Sequence, residues 1–195
     1  MMVRALMETL IAGVTLWALA IAAIIAGALG LLTRFVVSPL YHSVTGFLPF
    51  DAQFPLSKIM IAVELGAFDK AAAMAPYTLF AAVDLAYVIA TAALVTMGWM
   101  WLLAKFPMAL FAFLRRGGIA MMPAYVVILD IIAKVGFFRL IGGLSGEDYA
   151  RAVEFYATVH RLKFALLDIR NYLTIGFLLA IILGMFFART ARARP

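Results

Sequence analysis

Four apolar stretches divide this chain of 195 residues, and each is long enough to cross a bilayer as a helix rising about 1.5 Å per residue. The connections between them are too short to build a soluble core of their own. The expected fold is an all-α membrane protein, a four-transmembrane-helix bundle forming a single membrane domain over residues 1–195. Composition agrees: hydrophobic residues make up 67% of the chain and charged residues 13%, about half the charge of an ordinary soluble domain. Mean hydropathy is +1.08. Cysteine is absent, which excludes disulfides, thiolate nucleophiles and Cys-ligated metal centres. The net charge of +6 comes from basic residues at the ends of the apolar stretches. That is the pattern of membrane orientation signals, not of nucleic-acid binding.

The first span is expected over residues 7–32. Arg4 ahead of an apolar run also fits a signal peptide, but this run far exceeds the roughly 7–15 residues of such a core. Ala18, Ala22, Ala26 and Gly30 recur at every fourth position, a small-residue stripe on which a partner helix or a second copy can pack closely. Residues 33–75 form the first outer loop. Pro39, Gly46, Pro49 and Pro55 interrupt any helix in its first half. Over 56–74, Leu56, Ile59, Met60 and Val63 share a face while Lys58, Glu64, Asp69 and Lys70 are polar, which predicts a short amphipathic helix.

The second span is placed at 76–103 and ends on Trp99 and Trp101, residues suited to the membrane interface. A connector over 104–118 leads to the third span, 119–141, with Pro123 near its start. The second outer loop, 142–162, opens on a helix-start signal at Ser145 with Glu147 and Asp148 behind it. That loop is expected to be helical and can run on into the fourth span, 163–188. Arg4, Lys105, Arg115, Arg116, Arg189, Arg192 and Arg194 are opposed by one acid, Glu8, across the termini and the connector. Both termini are therefore expected on the cytoplasmic side of a plasma (inner) membrane.

Charges inside the spans carry the functional signal. An ionisable group at the bilayer centre costs about 2.5–3.5 kcal/mol and is kept only with a partner or a wet cavity. Asp84, Asp130, Lys134, Asp168 and Arg170 fall roughly 8–16 Å below the outer ends of their spans at this rise per residue. Asp130 and Lys134 are four apart and can pair, and Tyr87 extends the polar face of Asp84. These six residues are the candidate cluster. They form either a structural network fixing helix register or a polar cavity under the 56–74 helix that binds a ligand or relays a proton. His42 and His160, the only histidines, lie near the outer ends of spans, whereas paired haem ligands usually project from facing helices. The sequence has no Ser–His–Asp spacing, HExxH or glycine-rich phosphate loop. Neither a cofactor nor a metal is expected.

Four segments carry a resemblance: Phe50–Phe54 (FDAQF), Asp84 within AVDLAY, Asp130 within LDIIAK, and Arg161–Phe164 (RLKF). Through them, residues 47–188 resemble a group of small bacterial four-span membrane proteins to which no activity is assigned. The resemblance implies the architecture only. In that group the third span reads leucine, aspartate, two apolar residues, glutamate, asparagine; here Ala133 and Lys134 take the last two places, so Lys134 supplies a different partner for Asp130.

The function expected from these features is non-enzymatic: an accessory or lipid-binding membrane protein whose polar outer cluster holds a small amphiphile or contacts partner helices. A proton- or cation-coupled transporter working as an oligomer is the alternative. A membrane-embedded lipid isomerase using Asp84 and Asp130 as acid and base is the third.

Overall fold

The computed structural model describes residues 14–67, 69–105 and 119–192, without the side chains of 104–105 and 184–192. Every element among them is helical. The orientation charges Arg4, Glu8, Arg115, Arg116 and Arg194 lie outside the described residues, as do residues 7–13 of the first expected span and 106–118 of the connector. The side chains of Lys105, Arg189 and Arg192 also lie outside them.

Helix α1, Leu16–Leu32, starts at Thr15, whose hydroxyl accepts from the Ala18 amide at 3.1 Å. It does not stop at residue 32. A π turn over Thr33–Val37 carries it into α2, Ser38–Thr45. Pro39 was expected to break the chain here, but it falls in the first turn of α2, where a missing amide costs little. In the wide turn before it, the Ser38 amide reaches back to the Thr33 carbonyl. The end comes at Gly46, left-handed at φ 76°, whose amide closes on the His42 carbonyl at 2.8 Å. So 33–45 is helix and not loop.

Helix α3, Lys58–Ala67, is shorter than the expected 56–74 helix. The Asp69 carboxylate caps a new start by accepting from the Ala71 and Ala72 amides at 2.8 and 3.3 Å. From there α4 runs over Lys70–Lys105, with Pro76 inside it. A 3₁₀ turn at Ile119–Met121 leads into α5, Met122–Ile141, with Pro123 in its first turn. Glu147 and Asp148 occupy the first turn of α6, Gly146–Arg192, where acids suit the positive helix end. No break separates a loop helix from a fourth span. The second outer loop shrinks to the turn after Ile141.

Three of these helices are long and apolar enough to cross a membrane: Leu16–Thr45, Lys70–Leu103 and Gly146–Leu183. Helix α5 is shorter, at 20 residues, and carries Asp130, Lys134 and Arg139. Large apolar side chains point outward along the long helices, with Trp17 80%, Ile24 70% and Ile175 54% exposed. A surface of that kind suits acyl chains and not water.

Helix α1 packs on α4, α4 on α5, and α5 on α6. The stripe Ala18, Ala22, Ala26 and Gly30 is turned to α4: Ala26 is buried, and a Cβ on Gly30 would meet the Tyr87 ring at 3.0 Å. The helix that packs on this stripe is α4 of the same chain. One apolar core joins Tyr41, Phe50, Tyr77, Phe80, Phe137 and Tyr156 at the end where α2 turns back. A smaller one, Trp99, Leu103, Phe177 and Ile181, lies toward the other end of α4 and α6. The polar groups sit between them.

Candidate functional site

Five charged side chains from four parts of the chain meet below the first core. Asp51 arrives on a 3₁₀ turn, Phe50–Ala52, which two contacts pin in place. The Phe50 ring is buried edge-on against Phe137 at 4.9 Å, and its carbonyl accepts from Nε2 of the fully buried His160 at 3.0 Å. Asp84 comes from α4, Asp130 and Lys134 from α5, and Lys163 from α6.

Lys134 Nζ donates to Asp130 Oδ2 at 2.6 Å and to Asp84 Oδ2 at 2.7 Å, with Asp51 Oδ2 at 3.9 Å. Lys163 Nζ donates to Asp51 Oδ1 at 2.8 Å and to Asp130 Oδ1 at 3.0 Å. The Tyr77 hydroxyl adds a bond to Asp51 Oδ2 at 3.3 Å. Each ammonium therefore bridges separate elements, and removing one would leave carboxylates buried without compensation. Burial by itself would raise the Asp51 carboxyl. Lys163 and Lys134 outweigh it and hold that group below its ordinary 3.8, at about 2, so it is ionised at neutral pH. Among the described residues no three acidic or imidazole groups are arranged to hold a metal ion; ammoniums fill the space between the carboxylates.

Three carboxylates face two ammoniums, so the network keeps one negative charge. Its geometry says where. Asp130 and Asp51 have side chains 0% and 1% exposed and accept on both oxygens; Asp84 is 13% exposed and accepts on Oδ2 alone. Asp84 Oδ1 is the free edge of the network.

That edge borders a cavity of about 290 Å³ between α4 and α6, whose wall also includes Tyr87, Thr91, Asp168, Arg170 and Asn171. Trp99 Nε1 of α4 donates to Thr174 Oγ1 of α6 at 3.0 Å near the second core. Arg170 is half-buried, and among the described residues its guanidinium donates only to the neutral Asn171 Oδ1, at 3.0 and 3.3 Å.

Of the six residues expected to cluster, Asp84, Asp130 and Lys134 meet directly. Tyr87 lies on the cavity wall and packs on Gly30, without joining the ion pairs. Asp168 and Arg170 line the cavity but stay out of the network, because they sit beyond Lys163, about 8–10 Å further along α6. Asp168 is exposed. Asp51 and Lys163, which complete the network, were not anticipated as site residues, yet both fall in segments the sequence marks, FDAQF and RLKF. His160 holds the Phe50 turn, while His42 is exposed on α2.

The inward face of α3 is not the apolar face that the sequence singles out. Ile61, Glu64 and Leu65 of α3 point inward, with Glu64 Oε2 accepting from Gln53 Nε2 at 2.9 Å. Ile59 and Val63, read as the face toward the bundle or membrane, point away from the protein at 76% and 62% exposed. An ion pair between Lys58 and Glu154 ties α3 to α6.

No protein-family model, curated protein or solved structure matches this chain.

Proposed function

We propose that this is a four-span membrane protein that binds a small amphiphile in the cavity between α4 and α6, with no chemistry of its own. In this reading α5 also crosses, as the third span in chain order, made tolerable in hydrocarbon because Asp130 and Lys134 face inward and are paired. Both termini lie in the cytoplasm of a bacterium bounded by an inner membrane, and α3 rests at the outer interface with Ile59 and Val63 toward lipid. One observation carries the assignment: a cavity of about 290 Å³, whose wall includes Asp84, Thr91, Arg170 and Asn171 beside apolar side chains, opens next to a charge network that is otherwise saturated. Its volume is near the lower end of small-ligand sites, about 300–1,000 Å³, enough for a polar head group with its chains left outside. A network serving stability alone would have no use for that space.

Native mass spectrometry of gently solubilised protein tests this. The wild type should carry a bound amphiphile, and Val88→Phe, which fills the cavity from its α4 wall, should lose it while remaining folded. Equal occupancy in both proteins would place the ligand elsewhere.

The single uncompensated negative charge favours a second reading, uptake of a proton or small cation at Asp84 as part of transport. Its test is flux into liposomes that depends on Asp84. Absence of flux from a protein that still binds its amphiphile would leave the binding reading alone.

A further inference from the structure

Two charges on the cavity wall, of opposite sign, lack a full complement among the described residues, while a third, Asp168, is exposed. At one, Asp84 presents Oδ1 with no hydrogen bond among the described residues, at the edge of a network one negative charge in excess. At the other, Arg170 lines the same space with only a neutral amide as partner. A guanidinium within a membrane-spanning helix is costly unless an anion answers it, and its fork suits phosphate or carboxylate oxygens. On the same wall the Thr91 hydroxyl oxygen is fully buried and has no partner among the described residues. The wall thus offers an acceptor for a cationic donor, a donor fork for an anion, and a hydroxyl that can serve either.

We infer that the ligand's head is zwitterionic, with an ammonium bearing N–H groups on Asp84 and a phosphate or carboxylate on Arg170. This deepens the amphiphile reading above and rests on it. A purely anionic head would satisfy Arg170 and set a second negative charge near Asp84. A quaternary ammonium has the charge but no N–H to donate to Oδ1. The chemistry selects a head that carries both a primary amine and an anion, whether it belongs to a lipid or to a free small molecule.

The experiment is thermal unfolding of the full chain in dodecyl maltoside micelles doped with phosphatidylethanolamine, phosphatidylglycerol or phosphatidylcholine of the same acyl chains. Free phosphoethanolamine is a fourth arm. The wild type should be stabilised by phosphatidylethanolamine at about tenfold lower concentration than by the other two lipids, the effect of one charged hydrogen bond. Asp84→Asn should erase the preference over phosphatidylglycerol without abolishing binding. Arg170→Gln, which touches no ion pair of the network, should weaken all three lipids, and Arg170→Lys should restore part of the loss. Stabilisation by free phosphoethanolamine matching that of the lipid supports the same head chemistry from a soluble source, whereas a response only to the lipid assigns it to the membrane.

Equal stabilisation of the wild type by phosphatidylglycerol and phosphatidylethanolamine would overturn the zwitterion while leaving an amphiphile site in place. No response to any lipid, with Val88→Phe indistinguishable from wild type, would remove both. The lipid comparison on wild-type protein decides the matter even if Asp84→Asn does not fold.

Discussion

Charge counting at single residues makes an unequal prediction for the network. Replacing Lys134 with methionine removes the ammonium that bonds both Asp84 and Asp130, and doubles the excess negative charge. Breaking a buried pair from one side costs about 3–5 kcal/mol. Asp84→Asn removes the excess instead and leaves Lys134 on Asp130, so it should cost less than about 1.5 kcal/mol. Fluorescence-monitored unfolding in detergent measures both, and a larger loss for Asp84→Asn than for Lys134→Met would contradict the arrangement. Asp84, Asp130 and Lys134 were legible in the sequence because a charge inside an apolar run demands a reason. Asp51 stands in a proline-rich connection, where an aspartate costs nothing and so signals nothing. Lys163 lies beside Arg161 on a polar helix turn, indistinguishable in sequence from an interfacial base. Only the fold reveals that the Phe50 turn drives Asp51 inward to meet it.

Among the elements, helix content was plain from the apolar runs, but helix ends were not. Pro39 reads as a stop, and the π turn before it turns it into a continuation. The apolar face read on α3 carries Ile59 and Val63 away from the protein, since a membrane removes the rule that apolar means inward. The small-residue stripe of α1 receives a helix at the expected spacing, α4 of the same chain. That contact yields a sharp contrast between two glycines. A Cβ at Gly30 meets the Tyr87 ring at 3.0 Å, while one at Gly27 meets nothing within 4 Å. Gly30→Val should force the helices apart or push Tyr87 toward the cavity, and cost about 1–3 kcal/mol by overpacking. Gly27→Ala should be neutral or slightly stabilising, since alanine is the better helix former. Thermal unfolding of the two variants side by side checks this, and equal midpoints would mean that α1 does not seat on α4 through Gly30.

For the whole molecule, the open question of architecture is whether α5 crosses the bilayer. Its three charges fall within 20 residues, yet Asp130 and Lys134 are buried and paired, leaving outward Ile128, Ile131, Ile132 and Val135. That face suits acyl chains. If the helix spans, the turn after α2 and the turn before α6 share one side, and the 104–118 connector lies on the other. The absence of cysteine makes this directly measurable, because any introduced thiol is the sole target. Leu48 and Ser145 are both exposed at those two turns, so Leu48→Cys and Ser145→Cys should react with a membrane-impermeant maleimide added to intact cells. A cysteine at Gly117 should react only after the membrane is opened, since the basic connector is held inside. Labelling of Gly117→Cys from outside together with Ser145→Cys would make α5 a helix that folds back without crossing. The charged network would then lie at the water interface, where its cavity need not receive an amphiphile at all.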